Sequence, residues 1–238
     1  MNNKYILNKK NFLFIDDPIP HSGYFNMEFD KWLFNLSLIK KVKPILRFYC
    51  WEKFTITTGR YHKINKEIDI KKCEEMKIPI IKRPTGGRAI LHHPYEVTFS
   101  FIIPPYVISP FNFRTVFLFV AERLCQGFKN LGINSEINMK PSKYQDSSLC
   151  FHSISQYEIV DTNNNKLVGI AQLFKKDSSL IQGSIPFKNP EKDLSFLFYL
   201  QKNILIENNL VKKKLSAENI KKALITGFKD IQFSDFSV

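Results

Sequence analysis

The sequence predicts an α+β fold: a mixed, largely antiparallel sheet flanked by helices. Two observations carry that expectation. Short strands follow one another with few helices between them, at Thr55–Thr58, Pro79–Lys82, Ala89–His92 and Glu96–Ile103, a succession unlike the strict strand–helix alternation of parallel α/β sheets. Two stripes of apolar residues at helical spacing bracket that run: Phe25, Phe29, Trp32, Leu33 and Leu36 before it, and Phe113, Val116, Phe117, Val120, Leu124, Phe128 and Leu131 after it. Composition supplies the core. Of 238 residues, 44% are hydrophobic and 24% charged, which excludes a disordered chain. The length suits one large domain.

The remaining elements fall between these landmarks. Phe12 to Ile15 reads as a first strand, followed by a Pro- and Gly-containing loop from Asp17 to Gly23. Ile45 to Trp51 is rich in aromatic and β-branched residues and reads as a strand. A charged helix is expected over Lys66 to Met76. Pro104-Pro105 breaks the chain, and Gly132 closes the long second helix. After a polar loop from Asn138 to Ser148, Tyr157–Val160 and Leu167–Leu173 form a candidate hairpin about the turn Asp161–Asn165. Leu180–Ile185 adds a strand, and Ser216 is placed to cap a last helix carrying Ile220, Leu224 and Phe228.

Thirty-five Lys and Arg against 22 Asp and Glu leave a formal charge of +13. That excess favours an acidic partner, though a Lys-rich bias spread evenly over the surface gives the same total. No stretch is long and apolar enough for a transmembrane helix, and no signal core precedes Lys9 and Lys10, so a cytoplasmic protein is expected. The cysteines, Cys50, Cys73, Cys125 and Cys150, form no C-x-x-C pair. A zinc ribbon or a dithiol redox site is therefore not expected, and no metal is called for. The basic helices, aromatic ribonucleoprotein strands and zinc fingers of nucleic-acid-binding modules are absent as well.

Two segments carry chemistry. In Lys82-Arg83-Pro84-Thr85-Gly86-Gly87-Arg88-Ala89-Ile90-Leu91-His92-His93, paired glycines between strands let backbone N–H groups approach a polar ligand, and the arginines add fixed charge. The spacing fits neither a Walker loop nor a dinucleotide fingerprint, and a Gly-Gly pair also serves as a plain hairpin turn. In Ser147-Ser148-Leu149-Cys150-Phe151-His152, a cysteine follows a polar loop, where a cation would lower its pKa and make it nucleophilic. Pairing about the 161–165 turn does not by itself bring Lys166 to Cys150. His152 is a rival activator, and a buried, inert thiol is the bland reading.

Three stretches together resemble the octanoyltransferases of the lipoate–biotin protein ligase superfamily. They are Arg83-Pro84-Thr85-Gly86-Gly87-Arg88 with Leu91-His92; Ser147 to Phe151 continuing to Tyr157-Glu158; and Lys166-Leu167-Val168-Gly169-Ile170-Ala171-Gln172 with Gln182-Gly183-Ser184-Ile185 beyond. Phe14-Ile15-Asp16, Phe25-Asn26-Met27, Arg47-Phe48-Tyr49 and Gln126-Gly127-Phe128 support them in the family's order. The resemblance implies the biotin/lipoate protein ligase type of catalytic domain over residues 1–238, with a short helical extension from about residue 190. It implies the subgroup in which a cysteine, here Cys150, takes octanoate from acyl carrier protein as a thioester and passes it to a lysine of a lipoyl domain. The glycine cleavage H protein is one such acceptor. Lys166 would then lower the thiol pKa and contact the acyl carbonyl. Arg83, Thr85, Gly86, Gly87, Arg88, His92, Gly169 and Ala171 would bind substrate. A thioester drives amide formation without ATP, so no cofactor is implied, and the acidic carrier and lipoyl domains give the positive charge a cause.

Departures from the family pattern leave alternatives. His152 stands where the subgroup usually has Asp, and His92-His93-Pro94-Tyr95-Glu96 is one residue longer than the nearest pattern. An ATP-dependent lipoate–protein ligase is the first alternative, although Arg88 replaces the third glycine of the ligase loop. A transferase moving acyl groups between lipoyl-domain proteins is the second.

Overall fold

The structure, a computed structural model, describes residues 5–62, 64, 67–139, 157–199 and 205–235. Strand β1 (Ile6–Leu7) and the long β2 (Asn11–His21) precede helix α1 (Gly23–Ile39), which Ser22 caps by accepting from the Phe25 N–H. Then come β3 (Ile45–Trp51), β4 (Thr55–Thr58), the short α2 (Ile70–Glu75), β5 (Ile80–Lys82), β6 (Ile90–His92) and β7 (Glu96–Ile103). Strand β8 (Ile108–Ser109) leads to α3 (Phe113–Asn130), capped by Asn112. The remainder is β9 (Ser135–Ile137), β10 (Ile159–Asp161), β11 (Gly169–Lys175), β12 (Ser178–Pro186), α4 (Asn209–Lys213), α5 (Ala217–Gly227) and β13 (Gln232–Asp235).

Six strands form the main sheet in the order β11-β12-β7-β3-β2-β13. The first three pairings are antiparallel, while β2 runs parallel to both β3 and β13, so the expected mixed sheet is observed. The two-residue period of β3 sorts its side chains onto the two faces. Leu46 and Phe48 join the main core with Val116, Phe119 and Leu124 of α3 and Ile220 and Leu224 of α5. Ile45 packs with Leu33 and Phe34 of α1 on the other face. A separate sheet, β5-β4-β6, stands over its own small core that includes Ile56, Cys73 and Ala89.

Helices α3 and α5 meet through glycines. A Cβ on Gly227 would lie 2.3 Å from the Arg123 carbonyl oxygen and 2.8 Å from the Gly127 nitrogen. Both atoms are backbone, so the helices would have to separate. Gly227→Ala is expected to destabilise the fold by about 1–2 kcal/mol, because overpacking outweighs the roughly 1 kcal/mol gain in helix propensity. The check is a lower urea midpoint at unchanged slope.

Several expectations need correction. Residues 17–21 are not a loop: β2 continues to His21 with a register shift between Asp17 and Pro20. Proline is tolerated there because β13 covers β2 only from Asn11 to Phe14, so no ladder bond is asked of the outer edge. The charged helix starts only at Ile70, where Asp69 accepts from the Lys72 N–H as N-cap. The 157–173 hairpin forms only beside its turn, where the Asp161 N–H donates to the Asn165 carbonyl and the Leu167 N–H to the Ile159 carbonyl. Strand β10 pairs with β9 and β11 with β12, leaving one bridge, Val160 to Lys166, between the expected partners. The last helix is followed by β13, which the sequence reading left out.

Candidate active site

Between β5 and β6 the chain turns through residues 83–88, and Arg83 organises the turn. Its side chain is buried and donates to the carbonyls of Gly86 (3.1 and 2.6 Å), Arg88 (2.7 Å) and Thr57 (3.1 Å) and to the Thr57 hydroxyl (3.2 Å). One planar guanidinium with five N–H groups holds three carbonyls at once, which a lysine cannot do. The end of β4 supports the loop from beneath, since the Arg83 N–H donates to the Thr58 carbonyl and the Arg60 N–H to the Thr85 carbonyl. Gly87 has φ +93°, and a Cβ on Gly59 would lie 2.0 Å from the Gly87 oxygen, so both positions need glycine.

A buried polar chain ties this loop to the main sheet and α1. Thr85 donates to Gln182 Oε1 (2.7 Å), and Gln182 Nε2 donates to Asp30 Oδ2 (2.7 Å). Asp30 also accepts from Arg47 (3.0 Å), Ser100 (2.8 Å) and Tyr49 (3.3 Å). Burial works against the Arg47 charge, yet Asp30 and Asp17 outweigh it and raise its pKa. The Tyr49 phenol, buried beside Asp30, is pushed well above its usual range. A second chain runs from Trp51 through Thr98, Glu96 and His92 to Thr57. The respective distances are 2.7, 2.7, 2.5 and 2.8 Å, and the Trp51 and His92 rings are stacked at 3.9 Å.

These chains wall a small cleft where the glycine loop, β11 and β12 converge. Arg83, His92, Gly169 and Ala171 line it, together with Met27, Tyr49, Thr57, Thr98 and the 182–184 segment. Thr85 lies buried behind Gln182. Gly86 and Arg88 are half-buried and Gly87 exposed; a Cβ on Gly87 would meet the Ala171 Cβ at 3.9 Å, so the loop reaches β11. Ser184 is 1% exposed, lines the cleft, and its hydroxyl has no hydrogen-bond partner among the described residues. Such a group is available to a bound molecule.

Lys166 is buried just before β11, with its ammonium 2.6 Å from Glu158 and its carbonyl accepting from Asn208. It is not among the described residues lining the cleft. Cys150 and His152 lie outside the described residues. Burial raises the thiol pKa of Cys50 and pushes Cys73 and Cys125 up to about 11, so none of these three is an activated nucleophile. No metal-ligating group of three residues and no helix long and apolar enough to cross a membrane occurs among the described residues.

Sequence reasoning left Asp30, Gln182, Glu96, Thr57 and Ser184 without a role. The signal existed in the strands. Arg47 and Tyr49 alternate with Leu46 and Phe48, Thr98 and Ser100 with Phe99 and Phe101, and Gln182 and Ser184 with Ile181 and Ile185. Polar residues at period two on a buried strand mark a polar stripe on one face of a covered sheet.

His93 gives a pH prediction. Burial, the largest influence on its ring, depresses the pKa below the usual 6.5, and its Nδ1 accepts from the Tyr95 N–H. A histidine with a lowered folded pKa contributes full stability above about pH 6.5 and loses it as pH falls below that value. The thermal midpoint should therefore drop from pH 7 to pH 5, and less steeply in His93→Asn, whose side-chain oxygen keeps an acceptor.

The chain belongs to the family of lipoyl protein ligase A/B catalytic domains, whose pattern matches residues 22–236. It is an enzyme of the acyltransferase class, similar over most of its length to several proteins called octanoyltransferase LipM. That of Staphylococcus epidermidis is 32% identical over 85% of this chain and 77% of its own, and that of Bacillus subtilis is 31% identical over 93% and 86%. Among solved structures, lipoate-protein ligase A bound with ATP matches at TM-score 0.75 and 18% identity over 96% of this chain and 90% of that one. A T. acidophilum protein with bound lipoic acid matches at 0.74 and 20%, over 97% and 90%. At such identities these likenesses establish the fold.

Proposed function

We propose that the enzyme transfers octanoate from octanoyl-acyl carrier protein to a lysine of a lipoyl domain, such as the glycine cleavage H protein, through a thioester on Cys150. The observation that carries this reading is a buried Lys166–Glu158 pair entering the strand that forms one wall of a small, glycine-lined cleft, in a chain whose relatives are octanoyltransferases.

In the first half-reaction the Cys150 thiolate attacks the thioester carbonyl, and the carrier's thiol leaves and takes a proton. In the second, the neutral lysine amine of the acceptor attacks the new thioester, loses a proton and expels the Cys150 thiolate, leaving an amide. Lys166, held by Glu158, favours the thiolate and the oxyanion. The Gly169 backbone and the glycine loop orient the acyl group. The reading places the enzyme in the cytoplasm and requires neither metal nor nucleotide.

Intact-protein mass spectrometry after mixing with octanoyl-acyl carrier protein, without ATP, tests it. The expected result is one octanoyl adduct, removed by hydroxylamine and absent from Cys150→Ala. Modification of a lipoyl domain only with ATP and free acid would overturn it in favour of a ligase.

A further inference from the structure

Glu96 has no role in the scheme above, yet two strings of hydrogen bonds end on one of its oxygens. From one side the Trp51 N–H donates to the Thr98 hydroxyl, and Thr98 donates to Glu96 Oε1. From the other, Arg83 donates to the Thr57 hydroxyl at 3.2 Å, Thr57 lies 2.8 Å from His92 Nε2, and His92 Nδ1 lies 2.5 Å from the same Glu96 oxygen. A threonine hydroxyl has a single proton. A neutral His92 with its proton on Nδ1, facing the carboxylate, lets the Thr57 proton serve Nε2 while the Thr57 oxygen accepts from Arg83. Every donor in both strings then points towards Glu96.

Thr57, Arg83, His92 and Thr98 all line the cleft, whereas Glu96, 4% exposed, stands behind them. Its carboxylate suits this place. Burial alone would raise its pKa, but His92, His93 and Thr98 outweigh burial and lower it, so it is ionised at neutral pH. Arg83 at the other end of the string is the residue that holds the Gly86 and Arg88 carbonyls.

We propose that Glu96 is a positioning residue, which fixes the tautomer of His92 and, through Thr57 and Arg83, the set of the glycine loop, so that the stretch of cleft wall formed by Thr57, His92 and Thr98 spends its donors inward. This rests on the octanoyl-transfer reading for its kinetic consequence but not for its structural one.

Two measurements test it on the full-length enzyme. Long-range ¹H–¹⁵N NMR should show the His92 proton on Nδ1 in the wild type and in Glu96→Gln, which keeps an acceptor oxygen; a proton on Nε2 in the wild type would overturn the proposal. Acylation by octanoyl-acyl carrier protein should fall on the order of a hundredfold in kcat/KM in Glu96→Leu and in Thr57→Val, the size of loss that small misplacement produces. Glu96→Gln should recover most of it. The Glu96→Leu/Thr57→Val double variant should lose no more than the worse single variant, because both break one string. Multiplying losses, or wild-type rates in both single variants, would overturn the proposal. If Glu96→Leu does not fold, Thr57→Val and the tautomer decide. If the wild type itself takes no octanoyl group, the transfer reading fails while the tautomer still decides this one.

Discussion

Lys166→Ala is expected to destabilise the protein by roughly 3–5 kcal/mol, as removal of one member of a buried ion pair generally does. Its side chain and that of Glu158 are 0% and 8% exposed at 2.6 Å separation, so water does not replace the lost partner. The same change should slow acyl-enzyme formation by about 10²–10³-fold, the usual loss when one stabilising donor is removed from an oxyanion site. It should also move the rise of the acylation rate to higher pH, towards the ordinary thiol value near 8.5. The two effects can be separated. Lys166→Met combined with Glu158→Leu removes the whole pair and should recover much of the stability measured by urea titration, with no recovery of rate. An unchanged pH profile in Lys166→Ala would remove Lys166 from the chemistry and leave it a purely structural cation.

Gly59→Ala should abolish most activity through a single methyl group. The added Cβ would lie 2.0 Å from the Gly87 oxygen and 2.8 Å from the Gly87 nitrogen, both backbone atoms of the loop that Arg83 clamps. The loop must move outward by more than side-chain adjustment allows, and misplacement of about 1 Å at a reacting centre costs on the order of a hundredfold in rate. Overpacking of this kind costs about 1–3 kcal/mol, so the protein should stay folded. Steady-state acylation together with a thermal melt distinguishes a misplaced loop from a lost fold.

How far the sequence led depended on where the determining contacts lie. Strands Ile45–Trp51, Thr55–Thr58 and Glu96–Ile103 were read to the residue, because β-branched and aromatic density announces a covered strand locally. The 161–165 turn was also sound: Asp161 accepts from the Asn163 and Asn165 N–H groups. What the turn cannot encode is which sheet each flanking strand joins, and there the hairpin expectation failed. Strand β13 is short, polar and mostly exposed, and it owes its form to β2 rather than to its own residues. The glycine loop and Lys166 stood out as local motifs, although Lys166 is not among the described residues lining the cleft. Asp30, Glu96 and Gln182 did not, because each acts through partners brought close only by the sheet.

The pairing of β2 with β13 sets Asn11 beside Gln232 and Phe12 beside Phe233. During synthesis, β2 must therefore wait for a strand that lies about 220 residues further along the chain. Until then its Phe12–Phe14 edge presents free N–H and C=O groups and an aromatic surface, the kind of edge on which foreign strands add. The prolines at 18 and 20 guard only its farther half. Contacts this distant in sequence also slow folding, so the period between translation of β2 and docking of β13 is when this chain most needs shielding from its neighbours.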